Sequence, residues 1–267
     1  MKIATILNTH ENSRVVHDTL DSVQKWMTED VLMVVDGAGW KELESVNMPC
    51  YKLEGFHHEH NRGPYRNVTL ALKEANTLWS DMDWYCYLEY DCLVGSDAFL
   101  RELQIAQKMG VWAIGNDHRL GGYQFELLES MLKTEIYGSH YLLGCCVFYS
   151  GEFIRKLAEI NFFERFLYLT NDFSGGYFPG YEAQGGYDLA EHLYPSLAAH
   201  FGGKVSQFAS WTTADGAWHG AYQKFPLRFR PDLHPEVENF SEACLMHPLK
   251  DYDHPIRKFH REKRKNV

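Results

Sequence analysis

The sequence has no run long and apolar enough to cross a bilayer, and its first residues, MKIATILNTHENS, lack the apolar core of a secretory leader. Six cysteines occur (Cys50, Cys86, Cys92, Cys145, Cys146 and Cys244), but no two form a CxxC pair. Free, mostly buried thiols in a reducing cytoplasm are expected. Positive charge is in deficit: 26 Lys and Arg stand against 36 Asp and Glu, a net charge of −10. An acidic body is unsuited to gripping a nucleic-acid backbone, so no nucleic-acid partner is expected. Internal repeats and low-complexity linkers are absent as well, and 267 residues are read as one composite domain.

What is present is an ordinary globular composition, 45% hydrophobic and 23% charged, with aromatics high at 15%. Lys2–Leu7, Val31–Val35, Cys50–Leu53, Trp84–Leu88 and Val111–Ile114 read as strands, VLMVV being continuous enough for a buried parallel strand. Between them, Val16, Leu20, Val23 and Met27 recur at helical spacing, as do Val68, Ala71, Leu72, Ala75 and Trp79, and Phe99, Leu100, Leu103 and Ala106. Strand and helix alternate through the first 115 residues. The expected class is therefore α/β, a mostly parallel central sheet with helices on both faces. The second half is less regular. Tyr141–Tyr149 reads as a strand, and Glu152–Ile160 and Asp188–Phe201 read as helices. Residues 171–186, rich in glycine and aromatics, read as a long functional loop. The basic stretch RKFHREKRKNV from Arg257 has few apolar anchors. It reads as a solvated, frayed tail (251–267), with loose contact to an anionic membrane surface or a phosphorylated acceptor as the sharper reading.

In open parallel sheets, ligands sit beyond the carboxyl ends of the strands. Here the first strand leads into Asn8-Thr9-His10, the second ends at Asp36 and the third candidate, DWYCYLEYDCLV, ends in Glu89 and Asp91. Buried carboxylates are costly without a partner. Two of them one residue apart on a chain leaving a sheet can both reach one hard cation, and Mg²⁺ or Mn²⁺ takes such oxygen ligands and bridges phosphates.

The order of these features resembles a GT-A-fold glycosyltransferase, similar to the family 2 group. Asp36 in VVDGAG matches the residue that holds the nucleobase or ribose in that family. Asn61-Arg62-Gly63-Pro64-Tyr65-Arg66-Asn67 matches its N-x-G loop and R-N pair, and LEYD is an E-x-D variant of its metal-binding D-x-D. The resemblance covers roughly residues 2–115 and is diffuse afterwards. It implies a Rossmann-like nucleotide-binding half (1–115), an acceptor-binding and catalytic half (116–250), and metal-dependent, inverting transfer from a UDP-, GDP- or CDP-linked sugar to an acceptor hydroxyl. Thr9, Asp36, Arg66 and Lys250 are the implied nucleotide-sugar contacts. Glu89, Asp91 and His247, the last in CLMHPLKD, are the implied ligands of Mn²⁺ or Mg²⁺, with His219 as rival. Asp188 and Glu182 are both candidates for the base in FPGYEAQGGYDLAEHL. Here the sequence departs from the family, for Gly185-Gly186 stand where an adjacent acidic pair belongs.

Three further features have plainer readings. Arg66 and Asn67 can cap the helix they open, Arg66 also being able to pair with a phosphate. His57-His58-Glu59-His60 are consecutive and cannot all face one ion on regular structure, so they read as a solvated loop. Trp211, Trp218 and Tyr222 can stack on an acceptor sugar or pack in the core. Two rival functions stay open: a binding protein without turnover, and nucleotidyl transfer. The latter calls for a glycine-rich phosphate loop after the first strand, where this chain has NTHENSR.

Overall fold

The computed structural model describes residues 1–37, 39–56, 63–121, 125–136, 138–171, 187–208, 227–229, 231, 237 and 240–267. Its centre is a seven-stranded sheet in the order β3-β2-β1-β4-β7-β6-β8. The strands are β1 (Ile3–Thr9), β2 (Val31–Val35), β3 (Tyr51–Glu54), β4 (Trp84–Glu89), β6 (Val111–Gly121), β7 (Ser139–Ser150) and β8 (Lys204–Gln207). β1, β2, β3 and β4 pair in parallel, β6 pairs in parallel with β8, and β7 runs antiparallel between β4 and β6. The expected mostly parallel α/β sheet is what forms.

Strand side chains alternate between two cores, as the two-residue period of a pleated strand dictates. Ala4, Ile6, Leu32, Val34, Tyr85 and Tyr87 face α3 (Gly63–Leu78), α5 (Glu126–Leu132), α6 (Gly151–Glu159), α7 (Phe162–Leu169) and α8 (Tyr187–His200). Ile3, Leu7, Val31, Met33, Val35, Trp84, Cys86 and Leu88 face α1 (Arg14–Trp26), the short α2 (Trp40–Leu43) and α4 (Leu100–Lys108). Helices therefore cover both faces, and the strands that read as continuous apolar runs are those enclosed on both sides. All six cysteines are free, and only Cys50 is not buried. No described helix is long and apolar enough to cross a membrane.

A second, three-stranded sheet has the order β5-β10-β9, from β5 (Leu93–Val94), β9 (Leu227–Phe229) and β10 (Leu245–His247). β10 is antiparallel to β5 and parallel to β9. β5 follows β4 almost at once, so this small sheet grows from the turn that carries Glu89 and Asp91.

The C-terminal stretch departs from the expectation of a frayed tail. It forms α9 (Pro255–Lys265), opened by a His254 side chain that accepts from the Ile256 backbone N–H, with Ile256, Arg257 and His260 buried. The helix docks through Ile256, buried in a small apolar cluster with Leu93, Phe240, Met246 and Leu249, and through charge. Asp18 on α1 is 1% exposed and faces Arg257 at 2.8 Å, Arg261 at 3.5 Å and Arg264. Composition alone could not reveal this anchor, because the partner carboxylate lies 239 residues away from Arg257.

Candidate functional site

The three strand-end loops meet at the carboxyl edge of the sheet. The backbone N–H of Asp36, just past β2, donates to the Thr9 carbonyl at 2.8 Å, and the N–H of Tyr90, just past β4, donates to the Asn8 carbonyl at 2.9 Å. The His10 ring meets the Tyr90 ring edge-on with centroids 4.9 Å apart. Gly39 lies so close under the first loop that a Cβ there would sit 2.3 Å from the His10 carbonyl oxygen. Thr9 is buried, and its hydroxyl is taken up within its own loop, 3.0 Å from the Glu11 carbonyl. Asp36 is also buried.

β10 ends on this edge and delivers His247. Its Nε2 lies 2.9 Å from Glu89 Oε2 and 3.1 Å from Asp91 Oδ1. The Asp91 side chain is 3% exposed and Glu89 39%, so one carboxylate is sealed in and the other meets solvent. Lys250, itself 71% exposed, stands 3.9 Å from Asp91 Oδ2. A backbone bond from the Leu249 N–H to the Asp91 carbonyl at 2.8 Å ties the two segments together. Glu89, Asp91, His247 and Lys250, singled out in the sequence, are thus brought into one cluster.

The charges of the cluster depend on one another. Burial opposes ionisation of Asp91. The hydrogen bond and charge of His247, with Lys250 behind them, outweigh it and hold Asp91 below the ordinary carboxylate value. Burial likewise opposes protonation of His247, yet Cys145, Asp91 and Glu89 together push its pKa well above 6.5. The protonated imidazole occupies the position of a positive charge between two carboxylates.

This donor set fits a divalent cation. The ligand atoms of Asp91, Cys92 and His247 all lie within 4.8 Å of one another, and Glu89 shares the same imidazole nitrogen. Two carboxylates and an imidazole are oxygen and nitrogen donors suited to Mn²⁺ or Mg²⁺. Cys92 is a weaker donor: burial first, then its contact with Cys145, keeps it a thiol, and Sγ donates to the Cys145 carbonyl at 3.2 Å. The Cys145 thiol is drawn down to about 6, burial notwithstanding, by the Cys92 donor and the charge of His247.

The remaining sequence candidates lie elsewhere or are only partly described. Arg66 and Asn67 do not cap α3, which begins at Gly63 and places both within its opening turns. The Arg66 guanidinium lies over the Phe56 ring, its carbon 3.9 Å from the centroid, and reaches the Thr170 carbonyl and Asn171 Oδ1 at 3.4 Å each. Asn67 brackets the Phe56 backbone, accepting from its N–H at 2.6 Å and donating to its carbonyl at 3.3 Å. Asp188 falls at the second residue of α8, a helix that begins at Tyr187, so it stands inside the first turn rather than before it. Glu182, His219, Trp211, Trp218, Tyr222 and the 57–60 histidine loop lie outside the described residues. On α8 the sequence reading passed over Glu191, whose Oε1 accepts the Gly144 N–H at 2.5 Å, next to Cys145. Its only sequence signal was a carboxylate one turn beyond Asp188.

No family model matches the chain, and no curated protein matches it. Among solved structures the chain is similar to a glycosyltransferase involved in the glycosylation of the major capsid of PBCV-1, over 100% of both chains, at 13% identity and a TM-score of 0.45. It is similar to mannose-1-phosphate geranyltransferase from Thermus thermophilus, at 14% identity and a TM-score of 0.40, over 63% of this chain and 65% of that one. It is also similar to S. aureus TarS 1–349 in complex with UDP-GlcNAc, at 14% identity and a TM-score of 0.38, over 59% of this chain and 48% of that one.

Proposed function

We propose that the chain is a GT-A-type glycosyltransferase, related to the family 2 group, that moves a sugar from a nucleotide-sugar donor to an acceptor hydroxyl with inversion. The observation that carries this reading is the convergence of Glu89 and Asp91, leaving β4, with His247, ending β10, at the carboxyl edge of a parallel sheet. Residues 1–115 form the donor half and 116–250 the acceptor half.

Mn²⁺ or Mg²⁺, when bound, supplies positive charge to the diphosphate as its bond to the sugar breaks. Glu89, Asp91 and His247 would hold it, His247 in its neutral form. Lys250 reaches from the solvent side of Asp91 to a phosphate oxygen. Asp36 accepts hydrogen bonds from the nucleoside, with Thr9 shaping the loop beside it, and Arg66 assists on the anionic part of the donor. Asp188 or Glu182 takes the proton of the acceptor hydroxyl as its oxygen forms the bond to the anomeric carbon, and the nucleoside diphosphate leaves from the opposite face. The exposed basic side chains of α9, Lys258 and Lys265, suit weak contact of a cytoplasmic protein with an anionic membrane face.

Incubation with UDP-, GDP- and CDP-sugars, a panel of sugar acceptors and Mn²⁺ tests the reading, with product anomers assigned by NMR. Metal-dependent release of nucleoside diphosphate, with a new glycosidic bond of inverted configuration, is expected. A second reading, nucleotide binding without turnover, is favoured by Gly185-Gly186 at the position of the family's acidic pair. Nucleotide binding with no transfer or hydrolysis across the panel selects it.

A further inference from the structure

Asp91 lies in the turn from β4 to β5, and His247 ends β10, the strand that pairs with β5, so the backbone ladder sets the two segments side by side. One side chain is bonded to both segments. The Arg257 guanidinium donates from Nε to the Leu249 carbonyl at 2.8 Å, two residues past His247, and from one terminal nitrogen to the Cys92 carbonyl at 3.2 Å, one residue past Asp91. Its other terminal nitrogen donates to Asp18 Oδ2 at 2.8 Å. The Thr19 hydroxyl completes the arrangement: it accepts from Arg257 at 3.2 Å and lies 2.6 Å from both the Tyr90 and the Cys92 carbonyls. Arg257 is wholly buried.

We propose that Arg257, backed by Asp18 and Thr19, is a positioning residue for the cation site, so that α9 is a working part of that site. The inference rests on the reading of Glu89, Asp91 and His247 as cation ligands. A planar fork that donates in three directions spans the two carbonyls and the carboxylate at once, which a lysine ammonium on its single stem cannot do. The buried ion pair is no evidence of net stability by itself, since apolar residues of like volume often serve as well. What it adds is a fixed separation between two ligand-bearing turns. Metal sites tolerate ligand displacements of only about 0.2 Å, and loss of an outer partner typically costs about 10- to 100-fold in affinity.

The test is Mn²⁺ binding to the full chain without nucleotide, read from the loss of the free-ion EPR signal and the line shape of the bound ion. Arg257→Lys keeps the charge facing Asp18 and loses the fork. Its affinity should fall about 10- to 100-fold, with an altered line shape. Thr19→Val is nearly isosteric and should fold even where the lysine variant does not, and its affinity should fall in the same direction. Arg155→Lys is the matched control. Arg155 clamps the Ser80 and Met82 carbonyls at 3.1 Å each, ahead of β4 at the far edge of the sheet, and its loss should leave Mn²⁺ affinity unchanged. Wild-type affinity and line shape in a folded Arg257→Lys or Thr19→Val protein overturn the positioning role while the cation reading stands. Failure of the unaltered protein to bind Mn²⁺ overturns the cation reading, and the positioning role with it.

Discussion

His247 should give the protein two opposite responses to pH. Its pKa in the fold is raised well above the ordinary 6.5, so the folded state holds a proton that the unfolded chain releases. The stabilising effect is fully present below pH 6.5 and is lost as pH rises toward the folded value. While only the folded state is protonated, each pH unit removes about 1.4 kcal/mol. On the acid side, Asp91 is held below its ordinary 3.8, so its contribution is present above that value and is lost as pH falls through the folded pKa. His247 and Asp91 therefore both contribute in full between pH 3.8 and pH 6.5. Urea melts from about pH 5.5 to about pH 8.5 isolate the effect in a Cys145→Ser background with His247→Gln/Cys145→Ser measured in parallel, because Cys145, drawn down to about 6, otherwise titrates in the same range with the opposite sign and the difference then cancels the groups outside the cluster. The difference should decline above pH 6.5 with the stated slope. With saturating Mn²⁺ the sign should reverse, because an imidazole must lose its proton to ligate. A difference that is flat across this range refutes the argument that the two carboxylates hold a protonated His247.

Three other substitutions test other parts of the fold. Asp18→Ala strands the buried Arg257 charge and should destabilise by about 3–5 kcal/mol in a urea melt; a loss under about 1 kcal/mol would mean the arginines relax to solvent without cost. Gly39→Ala drives a methyl to within 2.3 Å of the His10 carbonyl and should cost about 1–3 kcal/mol, measured in the same way; wild-type stability would show that the two loops part freely. Lys250→Ala should change stability by less than about 0.5 kcal/mol, since the side chain is 71% exposed, yet should weaken UDP binding in a Mn²⁺-containing titration; unchanged affinity removes Lys250 from the phosphate.

The centre of the parallel half was legible because β1, β2 and β4 are short, largely apolar on both faces and separated by helices of clear period. Val31–Val35 was read with its observed bounds, and Trp84–Leu88 fell one residue short. β6 and β7 ran longer than expected because their added parts, DHRLG in β6 and Ser139-His140 with Ser150 in β7, carry no apolar run. β5, β9 and β10 are two or three residues long, below any periodicity, though together they place His247. In the cluster, Glu89, Asp91 and His247 were visible as chemistry at the ends of apolar segments. Arg257, Asp18 and Thr19 were not, because their roles lie in contacts between residues far apart in the chain, and a run of arginine and lysine reads the same whether it is solvated or anchored.

The two thiols behind the carboxylates give the cluster a second character. Cys92 and Cys145 sit where a soft ion such as Zn²⁺ or Cd²⁺ would find sulfur as well as oxygen and nitrogen. Traces of such ions would compete for Asp91 and His247 on better terms than their concentration suggests, so any manganese titration calls for a preparation stripped with chelator.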